Sequence, residues 1–223
     1  MKELVDYLFQ FVTQNKRDTI ERVLNERTRY ITIVLEDIYK IDNINAAIRS
    51  TECLGLQDVH IIEQKNAYAV NSGITKGASD WVSVIRHRKP DADNAQECFK
   101  QLRADGYMIV ATSPHPQGYT IENLPLDKKI ALVFGNERAG LSSYALENAD
   151  AFVTIPMFGF TESFNISVSV ALSLYELTKR LRQSSLEWHL TEQEKLTITL
   201  TWLKRLIRGS AELEKLFLSQ NPT

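Results

Sequence analysis

Apolar residues recur at helical spacing along the first stretch of the chain, at Leu4, Val5, Leu8, Phe9 and Val12 and again at Ile20, Val23 and Leu24. That period predicts two short amphipathic helices broken near Asn15. From Tyr30 the pattern changes. Residues 30–35 (YITIVL) are an unbroken apolar, β-branched run, which is how a strand covered on both faces reads. Similar short runs fall at 59–62, 107–111, 130–134 and 151–155, and a strand near 81–86 alternates instead. Helical patterns lie between them. One runs to about Leu54 with Asp42 or Asn43 available as its cap, another spans about 92–104, and a third runs from Phe164 to about Arg182. Strands alternating with helices predict an α/β fold, a mostly parallel sheet with helices on both faces.

The helix from Phe164 carries an apolar row at Ile166, Val170, Leu174, Leu177 and Leu181, beside small residues at Ser167, Ser169, Ala171 and Ser173. Small side chains let another element approach closely, either the sheet or the same helix of a second copy. Further on, Thr191 to Glu194 reads as a capping box opening a helix to about Arg208. Gly209 can end that helix, and Ala211 to Leu218 adds a turn or two. The expected organisation is therefore a domain over 28–183 with helical extensions at 1–27 and 184–223.

Composition narrows the class. A chain of 223 residues with 43% hydrophobic residues suits one globular domain with appendages. No run approaches the roughly 18 apolar residues that a membrane span needs, and the charged N-terminal stretch reads as an amphipathic helix rather than a leader, so no membrane partner is expected. Cys53 and Cys98 have no metal-like spacing, which points to a reducing, cytoplasmic compartment and to no metal site. The net charge of −2 hides an uneven distribution. Residues 91–175 carry 5 Lys/Arg against 10 Asp/Glu, whereas residues 176–223 carry 8 against 6, so the positive charge lies toward the ends. Arg17, Arg22, Arg27, Arg86, Arg88, Lys179, Arg180 and Arg182 are candidate contacts to phosphates. A solvated surface role fits each of them singly at least as well.

Three segments carry candidate chemistry. In residues 43–55 (NINAAIRSTECLG), Asn43 opens a helix just after a buried strand and Arg49 lies nearly two turns on, so both can face the carboxyl edge of the sheet, where open α/β sheets bind ligands. In residues 132–142 (LVFGNERAGLS), Gly135 follows a strand directly, with Asn136, Glu137 and Arg138 in the turn. Glycine there lets backbone approach a ligand. The string is neither a dinucleotide fingerprint nor a P-loop, which counts against a nucleotide-dependent oxidoreductase. In residues 153–171 (VTIPMFGFTESFNISVSVA), a strand enters a polar bend and then a helix, leaving N–H groups, Ser163 and Asn165 facing one point.

Together the three segments resemble the signature motifs of the SpoU (TrmH-like) family of RNA ribose 2′-O-methyltransferases, in order and spacing, with Phe164 standing where the family usually has leucine. The resemblance implies a fold whose C-terminal part threads a deep trefoil knot, a homodimer formed through that knot, and S-adenosylmethionine as methyl donor with no metal. It implies Arg49 as the catalytic arginine with Asn43, Glu137, Ser163 and Asn165 around it. Cofactor contacts would fall on Thr112, Gly135, Asn136, Ile155 and Phe164. Short helical extensions at both ends, with no separate RNA-binding domain in front, are the layout of family members that methylate the D-loop guanosine at position 18 of tRNA. The alternatives are ribosomal RNA, another tRNA position, or an RNA-binding protein that has lost catalysis on the same scaffold.

Overall fold

The structure is a computed structural model that describes residues 1–68, 77–115 and 118–220. The chain divides into two compact units, one of residues 28–188 and one made of residues 1–27 together with residues beyond 188.

The larger unit is built on a sheet of seven strands: β1 (Ile31–Glu36), β2 (Asp58–Ile62), β3 (Ser83–His87), β4 (Tyr107–Thr112), β5 (Tyr119–Thr120), β6 (Lys129–Phe134) and β7 (Ala151–Thr154). Their order across the sheet is β3-β2-β1-β6-β4-β7-β5, and every pairing is parallel. The α/β expectation holds. All six residues of β1 are buried, as its unbroken apolar run requires of a strand with helices on both sides. The register sets Ile33 against Val59 on one flank and against Leu132 on the other.

Side chains alternate between two cores. Ile31, Ile33 and Leu35 face Ile44, Ala47 and Ile48 of α3 (Ile41–Cys53) and Val170, Leu174 and Leu177 of α6 (Ile166–Arg182). Val34 and Val133 face Cys98, Phe99 and Leu102 of α4 (Asn94–Ala104) and Ala145 of α5 (Ser143–Asn148). Asp93 caps α4, its carboxylate accepting from the N–H groups of Ala95 and Gln96 at 3.0 Å each. Ser142 caps α5, and its hydroxyl and N–H both donate to buried Glu36, which satisfies that carboxylate. Neither α5 nor the two-residue strand β5 has a period long enough to be read in sequence.

Residues 184–188 stay with the sheet. Trp188 is buried in its core, the Arg182 guanidinium lies 4.9 Å from the Trp188 ring centre, and the Thr28 hydroxyl donates to the Trp188 carbonyl. Arg182 is thereby occupied.

In the terminal unit, α1 (Lys2–Phe9) and α2 (Gln14–Asn25) join α7 (Glu192–Leu206) and α8 (Ser210–Gln220). Thr13 caps α2, so the break between the first two helices lies at residues 10–13 and Asn15 sits inside α2. The capping box at Thr191 and Glu194 is formed in full, and Gly209 takes φ 77° between the last two helices. Arg27 is buried, with its guanidinium 5.5 Å from the Trp202 ring centre. It is not a surface group, which removes it from the candidate phosphate contacts.

Candidate functional site

The carboxyl ends of β4, β6 and β7 and the start of α3 open toward one cavity of about 610 Å³. Each motif delivers its residues there through the loop that follows its strand. Thr112 comes from the end of β4, Gly135, Asn136 and Glu137 from the loop after β6, and Ile155, Ser163, Phe164 and Asn165 from the loop after β7. Asn43 completes the lining from the first turn of α3.

Asn43 is not the cap of α3. The helix begins at Ile41 with Lys40 as its uncapped N-terminal neighbour, which leaves the Asn43 amide free for another bond. It donates to Glu137 Oε1 at 2.6 Å and accepts from the Asn165 amide at 3.2 Å. Glu137 also accepts the N–H groups of Tyr39 at 2.9 Å and Lys40 at 3.3 Å. Burial pushes the Glu137 carboxyl up, but the bond from Asn43 and those backbone donors outweigh it and hold the group below the usual carboxylate range. Glu137 is thus an ionised, well-satisfied acceptor.

Asn165 is fixed at both ends. Its carbonyl oxygen accepts from the Ser167 N–H at 2.8 Å and the Ser167 hydroxyl at 2.6 Å, which makes it the cap of α6. The helix therefore starts at Ile166, and Ser163 and Phe164 lie on the approach to it rather than in its first turn. The Ser163 hydroxyl has no partner among the described residues, so it is open to a ligand.

The loop after β6 closes on itself. Asn136 and Gly140 exchange backbone hydrogen bonds at 2.9 Å in both directions, and the Asn136 carbonyl oxygen accepts from the N–H groups of Arg138 and Ala139. A Cβ on Gly135 would lie 2.4 Å from backbone atoms of Gly140 and Leu141. No side chain fits, so Gly135 presents bare backbone to the cavity. Thr112 does the same by another route, turning its hydroxyl to the Val133 carbonyl at 2.8 Å.

Arg49 does not line this cavity. Six residues along an α-helix bring a side chain roughly 120° round from Asn43, so the expectation of a shared mouth fails on helical geometry. Arg49 is exposed and has no hydrogen bond or ion pair among the described residues.

Asp37 went unread in the sequence. It sits at φ 51° just after β1, and its backbone carbonyl accepts from the Asn136 amide at 2.7 Å. Its carboxylate accepts the N–H groups of Gln64, Lys65 and Asn66. An aspartate directly after a buried strand is the one signal that could have found it, since that residue type tolerates left-handed backbone.

Most of the candidate phosphate contacts are committed within the protein. Arg86 pairs with Glu63, Arg180 donates to the carbonyls of Ile121 and Leu124, Arg17 pairs with Glu21, and Lys179 lies 3.6 Å from Glu176. Arg22 and Arg88 are exposed without a hydrogen bond or ion pair among the described residues.

Residues 30–175 match the SpoU rRNA Methylase family. The chain is 43% identical over 215 residues to the tRNA (guanosine(18)-2'-O)-methyltransferase of Borreliella burgdorferi, a match covering 96% of each chain. It is 29% identical over 174 residues to the enzyme of the same name from Thermus thermophilus, covering 78% of this chain and 87% of the relative. Among solved structures, the A. aeolicus TrmH/SpoU tRNA modifying enzyme superposes with a TM-score of 0.76 at 25% identity, covering 87% of this chain and 98% of the other.

Proposed function

The chain belongs to the SpoU rRNA methylase family, and from that premise we propose that it transfers a methyl group from S-adenosylmethionine to the ribose 2′-oxygen of guanosine 18 in tRNA. The observation that carries this reading is the convergence of Asn43, Glu137, Ser163, Asn165 and the bare backbone of Gly135 on one cavity. The near full-length likeness to a tRNA (guanosine(18)-2'-O)-methyltransferase supports the choice of substrate.

The cavity suits the cofactor. Backbone at Thr112, Gly135 and Ile155 can bond an adenosine, and Leu141, Met157 and Phe164 give it apolar walls. Among the described residues Lys40 is the one lysine or arginine in the lining, and Glu137 supplies negative charge, a balance that fits a cationic ligand better than a pyrophosphate. When bound, S-adenosylmethionine supplies a methyl on a sulfonium that leaves as a neutral thioether, so the leaving side asks no charge stabilisation of the protein.

The new C–O bond forms as the methyl–sulfur bond breaks, and the proton of the 2′-hydroxyl passes to water, so the work left to the chain is to place the ribose. Ser163 offers a free hydroxyl beside the fixed amide of Asn165. The hydrogen-bonded line Asn165–Asn43–Glu137 holds that amide still, so little reorganisation remains at the moment of transfer. Glu137 is saturated and below the normal carboxylate range, which suits an orienting group rather than a base. Arg49 stands exposed outside this cavity, and its guanidinium, a donor fork rather than a base, serves to hold a phosphate or ribose of the arriving RNA. Arg22 and Arg88 are the two candidate phosphate contacts left free to meet RNA.

We extend the same reading to the trefoil knot, to a cytoplasmic location and to a homodimer through α6. Val168, Leu172 and Tyr175 stand exposed in one row of that helix, which is the apolar stripe a second copy would cover. The deciding experiment is transfer of labelled methyl to unmodified tRNA, with ribosomal RNA in parallel and the product nucleotide mapped. A 2′-O-methylguanosine at tRNA position 18 is the expected product. Methylation of ribosomal RNA alone, the substrate in the family's own description, would overturn the choice of RNA and keep the chemistry.

A further inference from the structure

The loop after β7 has two sides. One lines the cavity described above. The other borders a separate hollow of about 440 Å³. Pro114, His115, Ile155 and Met157 line both, so whatever fills the hollow lies directly beside the cofactor cavity.

Two exposed groups on this hollow suit a nucleobase better than a phosphate chain. Phe158 and Phe160, on either side of Gly159, are 98% and 109% exposed, and Phe160 lines the hollow. An exposed phenylalanine offers a flat apolar face on which a planar base can stack. Glu162 lines the same hollow, and its carboxylate has no hydrogen bond or ion pair among the described residues. Glu162 is exposed, and a carboxylate on this wall repels phosphates and favours a ligand rich in N–H donors.

We infer that this hollow is the subsite for the base of the target nucleotide, with Phe160 stacking on it and Glu162 reading it as guanine. The inference rests on the methyl-transfer reading of the neighbouring cavity and adds what recognises the base. Single-stranded RNA bases are held by aromatic stacking and read on their Watson–Crick edges. Of the four bases, guanine alone offers two adjacent donors there, N1–H and the N2 amine, and a carboxylate accepts both at once. Adenine and cytosine turn an acceptor nitrogen toward the carboxylate, and uracil turns its carbonyl oxygens. Glu162 immediately precedes Ser163, so a base bound in the hollow leaves its ribose next to Ser163 and Asn165, where the 2′-oxygen must lie.

The test uses full-length protein and unmodified tRNA transcripts carrying guanosine, inosine or adenosine at the mapped position. Inosine keeps N1–H and lacks the N2 amine. Methyl transfer and equilibrium binding are measured for the unaltered protein, Glu162→Gln and Phe160→Ala. The affinity of each protein for S-adenosylhomocysteine and its sedimentation serve as controls. The unaltered protein is expected to favour guanosine over inosine by about ten- to a hundredfold, the range of a hydrogen bond to a charged group. Glu162→Gln should lose most of that preference with cofactor affinity unchanged. Phe160→Ala should raise KM for all three transcripts and leave their ranking intact. Full guanosine preference in Glu162→Gln would overturn the inference. So would a Phe160→Ala protein whose only change is a loss of subunit association, since the loop would then face the partner copy. If no transcript is methylated yet binding favours guanosine through Glu162, the base subsite stands and the proposed reaction falls.

Discussion

Gly135 shows how one residue's size can decide a site. Its φ lies outside the left-handed region, and space forbids a side chain, because the loop returns at Gly140 and Leu141. Gly135→Ala must push that loop outward, an overpacking cost of about 1–3 kcal/mol. The variant should melt lower and lose the thermal shift given by S-adenosylhomocysteine. A normal ligand-induced shift would show that the loop tolerates the displacement. Asn43 decides by its bonds. Asn43→Ala removes the donor to Glu137 and the acceptor for Asn165 together. Hydrogen bonds to charged groups contribute about 1.5–3 kcal/mol, so kcat/KM should fall by about ten- to a hundredfold. The fall should appear in kcat with cofactor affinity nearly intact. Lost cofactor affinity would instead make Asn43 a binding residue. Arg49→Lys tests the remaining group. An orienting arginine predicts weakened activity with an unchanged pH profile, and activity that rises near lysine's pKa would mark a base.

At the scale of elements, β2, β3 and α4 hold a buried group that the spacing of the sequence concealed. The register sets His60 against Ile85, so His87 lies two residues on along the same face, with His60 Nδ1 3.0 Å from His87 Nε2, and α4 brings the Cys98 thiol within 4.8 Å of a ring nitrogen of each. The absence of metal-like spacing around Cys53 and Cys98 could not reveal this grouping, since chain spacing cannot see a pairing across strands. Near-coplanar rings at that separation form a hydrogen bond between neutral imidazoles. Burial, then the neighbouring His87, pushes the His60 pKa down to about 3, and burial lowers that of His87. A folded value below the unfolded one means that the unfolded chain takes up more protons in acid. Stability is therefore full above about pH 6.5 and falls below it, by up to about 1.4 kcal/mol per pH unit for His60, until about pH 3. Urea unfolding at pH 7.5 and 5.5 should show the loss, and His60→Asn should flatten it. An equal slope in the variant would place the proton uptake elsewhere. Helices were legible wherever a period ran for several turns, as in α4, α6 and α7, although the start of α6 lies two residues beyond the expected Phe164. They were missed in α5, whose six residues are too few to carry one.

For the whole molecule, the open question of assembly lies on α6. Val168, Leu172 and Tyr175 form its exposed apolar row, while its opposite face is buried against α3 and the sheet. Leu172→Asp would set a charge in the middle of that stripe. A homodimer formed there should dissociate, which sedimentation would detect as a halving of mass with melting temperature little changed. A dimer that survives the substitution would place the interface elsewhere.

The sequence by itself determined the class of fold and most of the site. Strands such as YITIVL are apolar on both faces, and only a parallel sheet covered by helices satisfies them. The three motifs follow three strand ends, so a parallel sheet brings them to one edge whatever the details of packing. Tertiary structure alone decided the rest. It turned Asn43 from a cap into the centre of a hydrogen-bonded line, moved Arg49 off the cavity wall, buried Arg27, and set His60 beside His87. The physical reason is common to all four. A local period fixes which face of an element a residue occupies, and only the neighbour that packs on that face decides whether its polar atoms meet water, a ligand or one another.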